Sequence, residues 1–492
     1  MKTLLRCVAL LIVIIMLGTA FLACGKKEEP QTENTGETVA TNEDDGFKIA
    51  PTNWEKTFKI LAPNWGCYKE FYEFNEEAGD TGEPIDMALY TRTERIKSHL
   101  GVTLDFVIDG GFDDAFNTMK STISSGDDVY QLCLTHTFNN VAAVVTDGLA
   151  YDFKLFKDIN LEADYWNKAA MEELEINSAF YYGHSDFILS DPNAIFFNKT
   201  MQENYKVKNP YEMVRDGTWT LENMTLESYK IAEQGDKSSK NLGFAAIGEW
   251  YFMSFLDSCD TNIVIDDGGY KTLNMGADNE RYSNVYDQID TLCAADSSLI
   301  YNAQVGGNAD SDKSISSGRV LFTLIPLRQA NQYRATEVKF GILPYPKYDV
   351  DQKEYRSFDW SGLMCVPLSI QNHDMVGQVL ECLSYFSGHG ENDLHTAYYE
   401  NLLGSKLAEA PDDYDMLKII FGNIVTNSAI NMIQGAGSNS TTEGLGALAY
   451  AYKHVAYAYT EKGAGNKPDG IAVQWASHKD LAQKALDNTV NS

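Results

Sequence analysis

The chain has 492 residues, 44% of them hydrophobic and 12% aromatic, with a formal net charge of −31 at pH 7. That acidity disfavours nucleic acid and anionic lipid surfaces as partners. The length and apolar content suffice for a large core, in two or three domains or two large lobes.

The first element in chain order is a leader. Lys2 and Arg6 give a positive start, Cys7 to Gly18 is almost uninterruptedly apolar, and small Ala23 immediately precedes Cys24. The apolar stretch is short for a membrane span. Residues 1–23 resemble a lipoprotein signal peptide, which implies that Cys24 receives palmitate-type acyl chains and becomes the first mature residue. Acyl chains hold about 0.8 kcal/mol per buried CH₂, so the protein would sit lipid-anchored on the outer face of a bacterial cell membrane. Phe21 stands where that motif usually carries Leu. An uncleaved anchor and ordinary cleavage after a small residue are the other two readings, and all three leave the body of the protein outside the cytoplasm.

Residues 24–54 are rich in Glu, Thr, Asn, Lys and Gly and nearly free of large apolar residues. Such a segment cannot bury enough surface to offset its ordering entropy, so it reads as a disordered tether. Folding signals begin at the β-prone Lys59–Ala62, closed by Pro63, Asn64, Trp65 and Gly66. A helix-like stretch from Pro84 stops at Gly101, a natural residue for ending a helix, and Val102–Ile108 reads as a strand. Helix is predicted over Asp113–Ser124, strand over Val129–Thr135, and helix over Asn139–Asp147. This alternation argues for a wound α/β lobe with a largely parallel sheet.

The later sequence alternates similarly. Ala194–Asn198 is strand-like, and Thr220 opens a helix with Glu222 in its first turn. Lys313–Leu324 and Val338–Leu343 each lead into a strand. Leu417, Ile420, Phe421 and Ile424 recur at helical spacing, and Ala447–Tyr459 reads as a Tyr-rich helix. Six cysteines lie beyond the leader and Cys24: Cys67, Cys133, Cys259, Cys293, Cys365 and Cys382. None forms a Cys-x-x-Cys pair, which argues against zinc or redox sites, and buried free thiols are expected. Cys259 with Cys293 is the pair to test first for a bridge.

Four segments carry a resemblance: Ala194–Lys199, Asn209–Thr220 with its Gly217-Thr218-Trp219-Thr220 end, Ser317–Phe322, and Phe340–Pro346. In that order, behind such a leader, the chain resembles the extracellular solute-binding proteins of family 1, the substrate-capturing lipoproteins of ATP-driven (ABC) importers, in the group that includes maltose-binding protein. The resemblance covers nearly all of residues 55 to 490. It implies a two-lobed α/β fold of the periplasmic-binding-protein type II, with hinge crossings and ligand held in the cleft between lobes. The expected partition is residues 55–191 and 322–374 in lobe 1, and 192–321 and 375–492 in lobe 2. Partners would be ABC permease subunits and a small solute, with the receptor a monomer.

Ligands of open α/β sheets sit beyond the carboxyl ends of strands, and closing lobes exclude water there. The loops so placed offer Trp65, His136 and Asn139 from the first lobe and Trp250 with Tyr251 from the second. Asp191 and Arg328 flank expected crossings, and Asp359 and Trp360 lie in a polar-aromatic loop. Aromatic faces pack against the C–H face of a sugar while carboxylate and guanidinium groups bond its hydroxyls, so a carbohydrate is expected. Each residue also has a structural reading: ring packing for the Trp and Tyr residues, a satisfied buried imidazole for His136, an ion pair for Arg328, and turn capping for Asp191 and Asp359. Trp219 reads as core, while Trp54, Trp166 and Trp475 have no assigned role.

No Gly-x-Ser-x-Gly, His-Glu-x-x-His, Walker-type or Gly-x-Gly-x-x-Gly motif occurs, so no catalysis and no cofactor are expected. His389 and His395 flank Glu391 and Asp393 at a spacing that fits no common zinc pattern. The competing functions are an extracellular carbohydrate-active hydrolase and a ligand-sensing lipoprotein partner of a membrane kinase.

Overall fold

A computed structural model of the chain describes residues 47–64, 83–137, 140–234, 241–267, 270–274, 280–300, 315–333, 336–399, 410–427, 442–460, 462–463 and 466–491. Cys24, Trp65, Cys67 and Asn139 lie outside them. The chain from Gly46 onward forms one compact unit built on two separate mixed sheets, the two-lobed α/β architecture expected from the resemblance.

The first sheet contains Lys56–Ala62, Val102–Ile108, Leu132–His136 and Gly362–Cys365, with the last two adjacent and 102–108 at the far edge. Its first three strands are parallel, whereas Gly362–Cys365 runs antiparallel, pairing Gly362 with His136 and Cys365 with Cys133. Parallel strands sandwiched between layers need apolar residues on both faces, and Phe58, Ile60, Leu61 and Ala62 are all buried. The helix Pro84–Leu100 starts on Pro and ends at Gly101, whose φ of 64° is left-handed and whose N–H donates to the Lys97 carbonyl at 2.9 Å. A Cβ on Gly101 would also lie 1.9 Å from the Asn53 side-chain oxygen, so a larger residue fits neither the dihedral nor the space.

The second sheet runs, in spatial order, Phe340–Leu343, Asn193–Asn198, Val320–Pro326, Leu242–Ala246 and Ser298–Ile300. Asn193–Asn198 is antiparallel to both neighbours, and the strands beyond are parallel. Trp219 is fully buried and donates its indole N–H to the Pro344 carbonyl at 2.9 Å, a core residue as expected.

Several sequence expectations shift. The strands Val320–Pro326 and Phe340–Leu343 pair within the second sheet, although the expected partition places residues 322–374 with the first lobe. The helix His373–Gly388, expected in the second, packs on Pro84–Leu100. Crossings that alternate between sheets every few tens of residues hide the partition from sequence. Ile424 leaves the helix Pro411–Gly422 and pairs with Ser357 in a short parallel bridge. The Tyr-rich helix breaks at Tyr450 into Gly444–Ala449 and Ala451–Tyr457. Cys259 and Cys293 are both buried free thiols, as are Cys133, Cys365 and Cys382, so the candidate bridge is not formed. Burial pushes the Cys259 thiol up to about 12.

Candidate functional site

Two passages of chain, Asp191–Asn193 and Phe358–Gly362, connect the sheets side by side, and Pro326–Arg328 turns beside them between two strands of the second sheet. Backbone bonds tie them together. Leu327 N–H donates to the Pro192 carbonyl at 3.0 Å, Trp360 N–H donates to Asp191 O at 3.0 Å, and Pro192 and Asp359 form an antiparallel bridge. Asn193–Asn198 and Gly362–Cys365 begin here and Val320–Pro326 ends here, so the side chains beside those strand ends converge.

Six of the nine proposed contact residues meet at this place. His136, the last residue of its strand and 0% exposed, sets its ring edge-on to Trp360 at 5.4 Å and to Phe112 at 5.2 Å. Burial, reinforced by the Arg328 charge, holds His136 well below its ordinary range, which keeps the imidazole neutral. Trp360 is 8% exposed and also packs on Phe358 at 5.8 Å and Tyr251 at 5.9 Å. The Tyr251 hydroxyl accepts from Gln329 Nε2 at 3.0 Å. Asp191 accepts from Arg328 N–H at 2.7 Å and pairs with its guanidinium at 3.3 Å. Burial pushes Asp191 up to about 6 against that pairing, with Asp359 adding to the rise.

Asp359, 0% exposed, is a junction. Its Oδ1 accepts from Asp191 N–H at 2.7 Å, and its Oδ2 accepts from Ser361 Oγ at 2.8 Å and lies 3.3 Å from His184 Nε2. In this conformation Asp191 and Asp359 therefore bind the crossings to one another. Trp250 stands apart from this cluster. Half-buried in the turn Glu249–Met253, it carries the Lys453 ammonium 3.4 Å above its ring, with Tyr450 edge-on at 5.7 Å. Burial lowers Lys453 to about 8, opposed by Glu249. Lys453, Gln329 and His184 carried no sequence signal, since each owes its place to a fold contact distant in the chain.

Buried contacts between segments distant in sequence also form away from the crossings. Thr426 donates both its N–H and its hydroxyl to Glu173 Oε2 at 2.8 Å, and Lys271 Nζ donates to the Glu173 carbonyl at 2.7 Å. Asn427 donates to both oxygens of Asp257 at 3.1 Å. Burial raises Glu173 to about 7, and burial with Glu173 nearby raises Asp257 to about 8.

A cavity of about 700 Å³ opens elsewhere, and none of the nine proposed residues lines it. Its wall includes Trp166, His184, Asp186, Tyr399, Lys418 and Phe421. One side is the helix Pro411–Gly422, whose Asp413 accepts from Ile342 N–H in the edge strand of the second sheet at 3.1 Å. The other side follows Gly183, which bridges to Met364 in the edge strand of the first. The cavity thus lies beside the edge strands of both sheets, and its wall holds none of the six converging residues. Among the described residues no group of three His, Cys, Asp or Glu side chains is arranged to hold a metal, and no helix is long and apolar enough to cross a membrane.

Neither a protein-family model nor a curated protein sequence matches the chain. Solved structures do. The galacto-N-biose/lacto-N-biose I-binding protein of the ABC transporter of Bifidobacterium longum, in complex with lacto-N-biose, matches with a TM-score of 0.56 at 11% identity, over 88% of this chain and 96% of that one. An ABC substrate-binding protein from Listeria monocytogenes in complex with cycloalternan gives 0.54 at 11%, over 89% and 97%. The maltose-binding periplasmic protein of the same organism, in complex with maltose, gives 0.52 at 13%, over 89% and 98%. At these identities the likeness is one of fold.

Proposed function

We propose that the chain is the solute-binding component of an ABC importer, anchored by lipid at Cys24 outside the cell, capturing a carbohydrate between its lobes and passing it to permease subunits. One observation carries the reading. In a fold whose solved likenesses hold cycloalternan, lacto-N-biose and maltose, the strand ends of both sheets gather Arg328, Tyr251 and Trp360, with Trp250 as an aromatic face nearby.

The chemistry fits a sugar. Trp250 and Tyr251 offer rings to the C–H face, and Arg328, whose side chain retains 14% exposure, can donate to a hydroxyl while Asp191 holds its orientation. Asp191 and Asp359 act as positioning groups for the crossings, so that hinge rotation brings the rings of the two lobes together over the ligand. The expected tether is shortened at its end, since Phe47 stacks on Tyr385 and Thr52 and Trp54 bond to His99 and Leu100; the chain from Cys24 to Phe47 would give the anchored receptor its reach. No step in this role makes or breaks a bond.

A thermal-shift screen over oligosaccharides, monosaccharides, polyols and peptides tests the reading. Ligand at a hundredfold excess over its dissociation constant adds about 2.7 kcal/mol of stability, and a sugar should give such a shift. Trp250→Ala should weaken that ligand about tenfold or more without lowering the melting temperature of the free protein by a comparable amount. A shift from peptides alone overturns the carbohydrate assignment, and turnover of a glycan panel by the purified protein overturns the receptor assignment in favour of a hydrolase. Mass measurement of the mature N-terminus tests lipidation at Cys24.

A further inference from the structure

Among the described residues three lysines are buried, Lys271, Lys347 and Lys453. Two of them have acceptors. Lys271 donates to the Glu173 carbonyl at 2.7 Å and pairs with Asp266 at 3.2 Å, and Lys347 donates to the Gln352 carbonyl at 2.5 Å. Lys453 has none: its ammonium makes no hydrogen bond and no ion pair, and rests 3.4 Å from the centre of the Trp250 ring and 5.3 Å from that of Tyr450. At 8% exposure the side chain is withdrawn from water. Its Nζ nevertheless is not among the sealed side-chain atoms that lack a partner, so it keeps open surface.

The local fold puts it there. Tyr450 and Lys453 stand three residues apart, hence on one side of the helical run that continues through Ala451–Tyr457 and packs on the turn Glu249–Met253. Glu249, 4% exposed, attracts the Lys453 charge without pairing with it, and His454 is neutral, lowered to about 4 by burial and by Lys453. The ammonium therefore has two aromatic faces and no anion in contact. A ring beneath a cation contributes about 0.5–2 kcal/mol, whereas withdrawing an ammonium from water costs several kcal/mol. Trp250 follows the carboxyl end of the strand Leu242–Ala246, and its neighbour Tyr251 is bonded by Gln329, beside Arg328. Lys453 thus stands against the same ring that is offered to the solute.

We propose that the solute held beside Trp250 is an anionic saccharide, one bearing a carboxylate or sulfate group, and that Lys453 is the residue that selects it. The inference rests on the receptor reading above and narrows its substrate class. The anionic group accepts from Lys453 Nζ and restores the polar contact that burial removed. A hydrogen bond between two charged groups in such a place is roughly twice as strong as a neutral one, so a neutral sugar of equal shape gains less. The formal charge of −31 on the whole chain does not oppose this at short range, because exposed charges are screened over about 8 Å at physiological ionic strength and buried ones much less.

Calorimetric titration of the purified chain near neutral pH tests this, with short oligosaccharides of glucuronate, galacturonate and mannuronate and with sulfated galactose oligosaccharides, each against its neutral counterpart. At least one acidic sugar should bind about tenfold or more tightly than the neutral form. Lys453→Met should remove that preference, and Lys453→Arg should keep most of it. Binding by uronates alone identifies a carboxylate, and binding by sulfated sugars alone a sulfate. Equal or tighter binding of the neutral sugars, or a preference untouched by Lys453→Met, overturns the proposal and leaves the receptor reading standing. Failure of every acidic sugar overturns it too, and the receptor reading falls with it only if the wider thermal-shift screen is also empty. The comparison of acidic with neutral sugars on the unmodified chain decides the matter even if the variants fold poorly.

Discussion

The two sides of the crossings are built in opposite ways. In front, where the strands end, Trp360 is wedged among His136, Tyr251 and Phe358, and Asp359 is bonded by Asp191, Ser361 and His184. Behind, the chain leaves about 700 Å³ unfilled, with an imidazole nitrogen unpaired at its wall. Interiors are ordinarily packed to the density of organic crystals, so the packed side is the ordinary one. The hollow side teaches where the fold has given up contacts and kept space beside the passages that join its two sheets.

The contrast can be broken by substitution. Trp360→Ala should cost about 3–5 kcal/mol, because it opens a hole in a filled region; a loss under about 1 kcal/mol in chemical unfolding would show that the front is as loose as the rear. Asp359→Asn should follow at about 2–3 kcal/mol, since the amide nitrogen cannot accept where a carboxylate oxygen did and a buried donor loses its partner. Its signature is a lowered melting temperature without loss of helix content by circular dichroism.

A pH effect comes next. Glu173 and Asp257 are raised by burial to about 7 and about 8, so the folded state holds protons that the unfolded chain, titrating near pH 4, has released. Stability from these two groups is therefore greatest at low pH, falls between about pH 4 and about pH 8, and levels off above, with a slope of at most about 1.4 kcal/mol per pH unit per group. Urea unfolding at several pH values between about 5 and 9 should show the decline, and Asp257→Asn should flatten it. A profile that rises with pH and is unchanged by the variant contradicts the buried pair.

Smaller effects belong to the hollow side and to sulfur. Phe421→Ala trims a ring that already borders empty space, so its cost should stay within about 1–2 kcal/mol, well below that of Trp360→Ala; equal costs would erase the difference between the two sides. Reductant should leave the melting temperature unmoved, because Cys259 and Cys293 are unbridged. A drop of several degrees would reveal a disulfide, whose loss costs about 2–4 kcal/mol.

Much of this was legible in the sequence because the signals were local. Pro84 and Gly101 bracket a helix by their dihedral preferences alone, and Val102–Ile108 was read to the residue. His136, Asp191, Tyr251, Arg328, Asp359 and Trp360, picked out by their loops beside expected strand ends, do come together in the structure. What failed was non-local. Ile424 continued a helical spacing, yet pairing with Ser357 took it into a strand. Phe340–Leu343 is placed by pairing with Asn193–Asn198, and His373–Gly388 by packing on Pro84–Leu100, partners far away in sequence. Nothing in the run His184 to Ser190 marks it as a cavity wall, because the residues that share that wall, Tyr399 and Phe421, lie more than 200 residues away in sequence.

The three linked passages have a mechanical consequence. A single strand between bodies permits bending about any axis, twisting and sliding alike. Here Leu327 to Pro192, Trp360 to Asp191 and Asp191 to Asp359 are joined by hydrogen bonds across neighbouring passages, so twisting or sliding would have to tear that seam while swinging about it need not. The hinge rotation proposed above would thereby be reduced to one degree of freedom, and a single distance between labels on the two bodies should suffice to describe it.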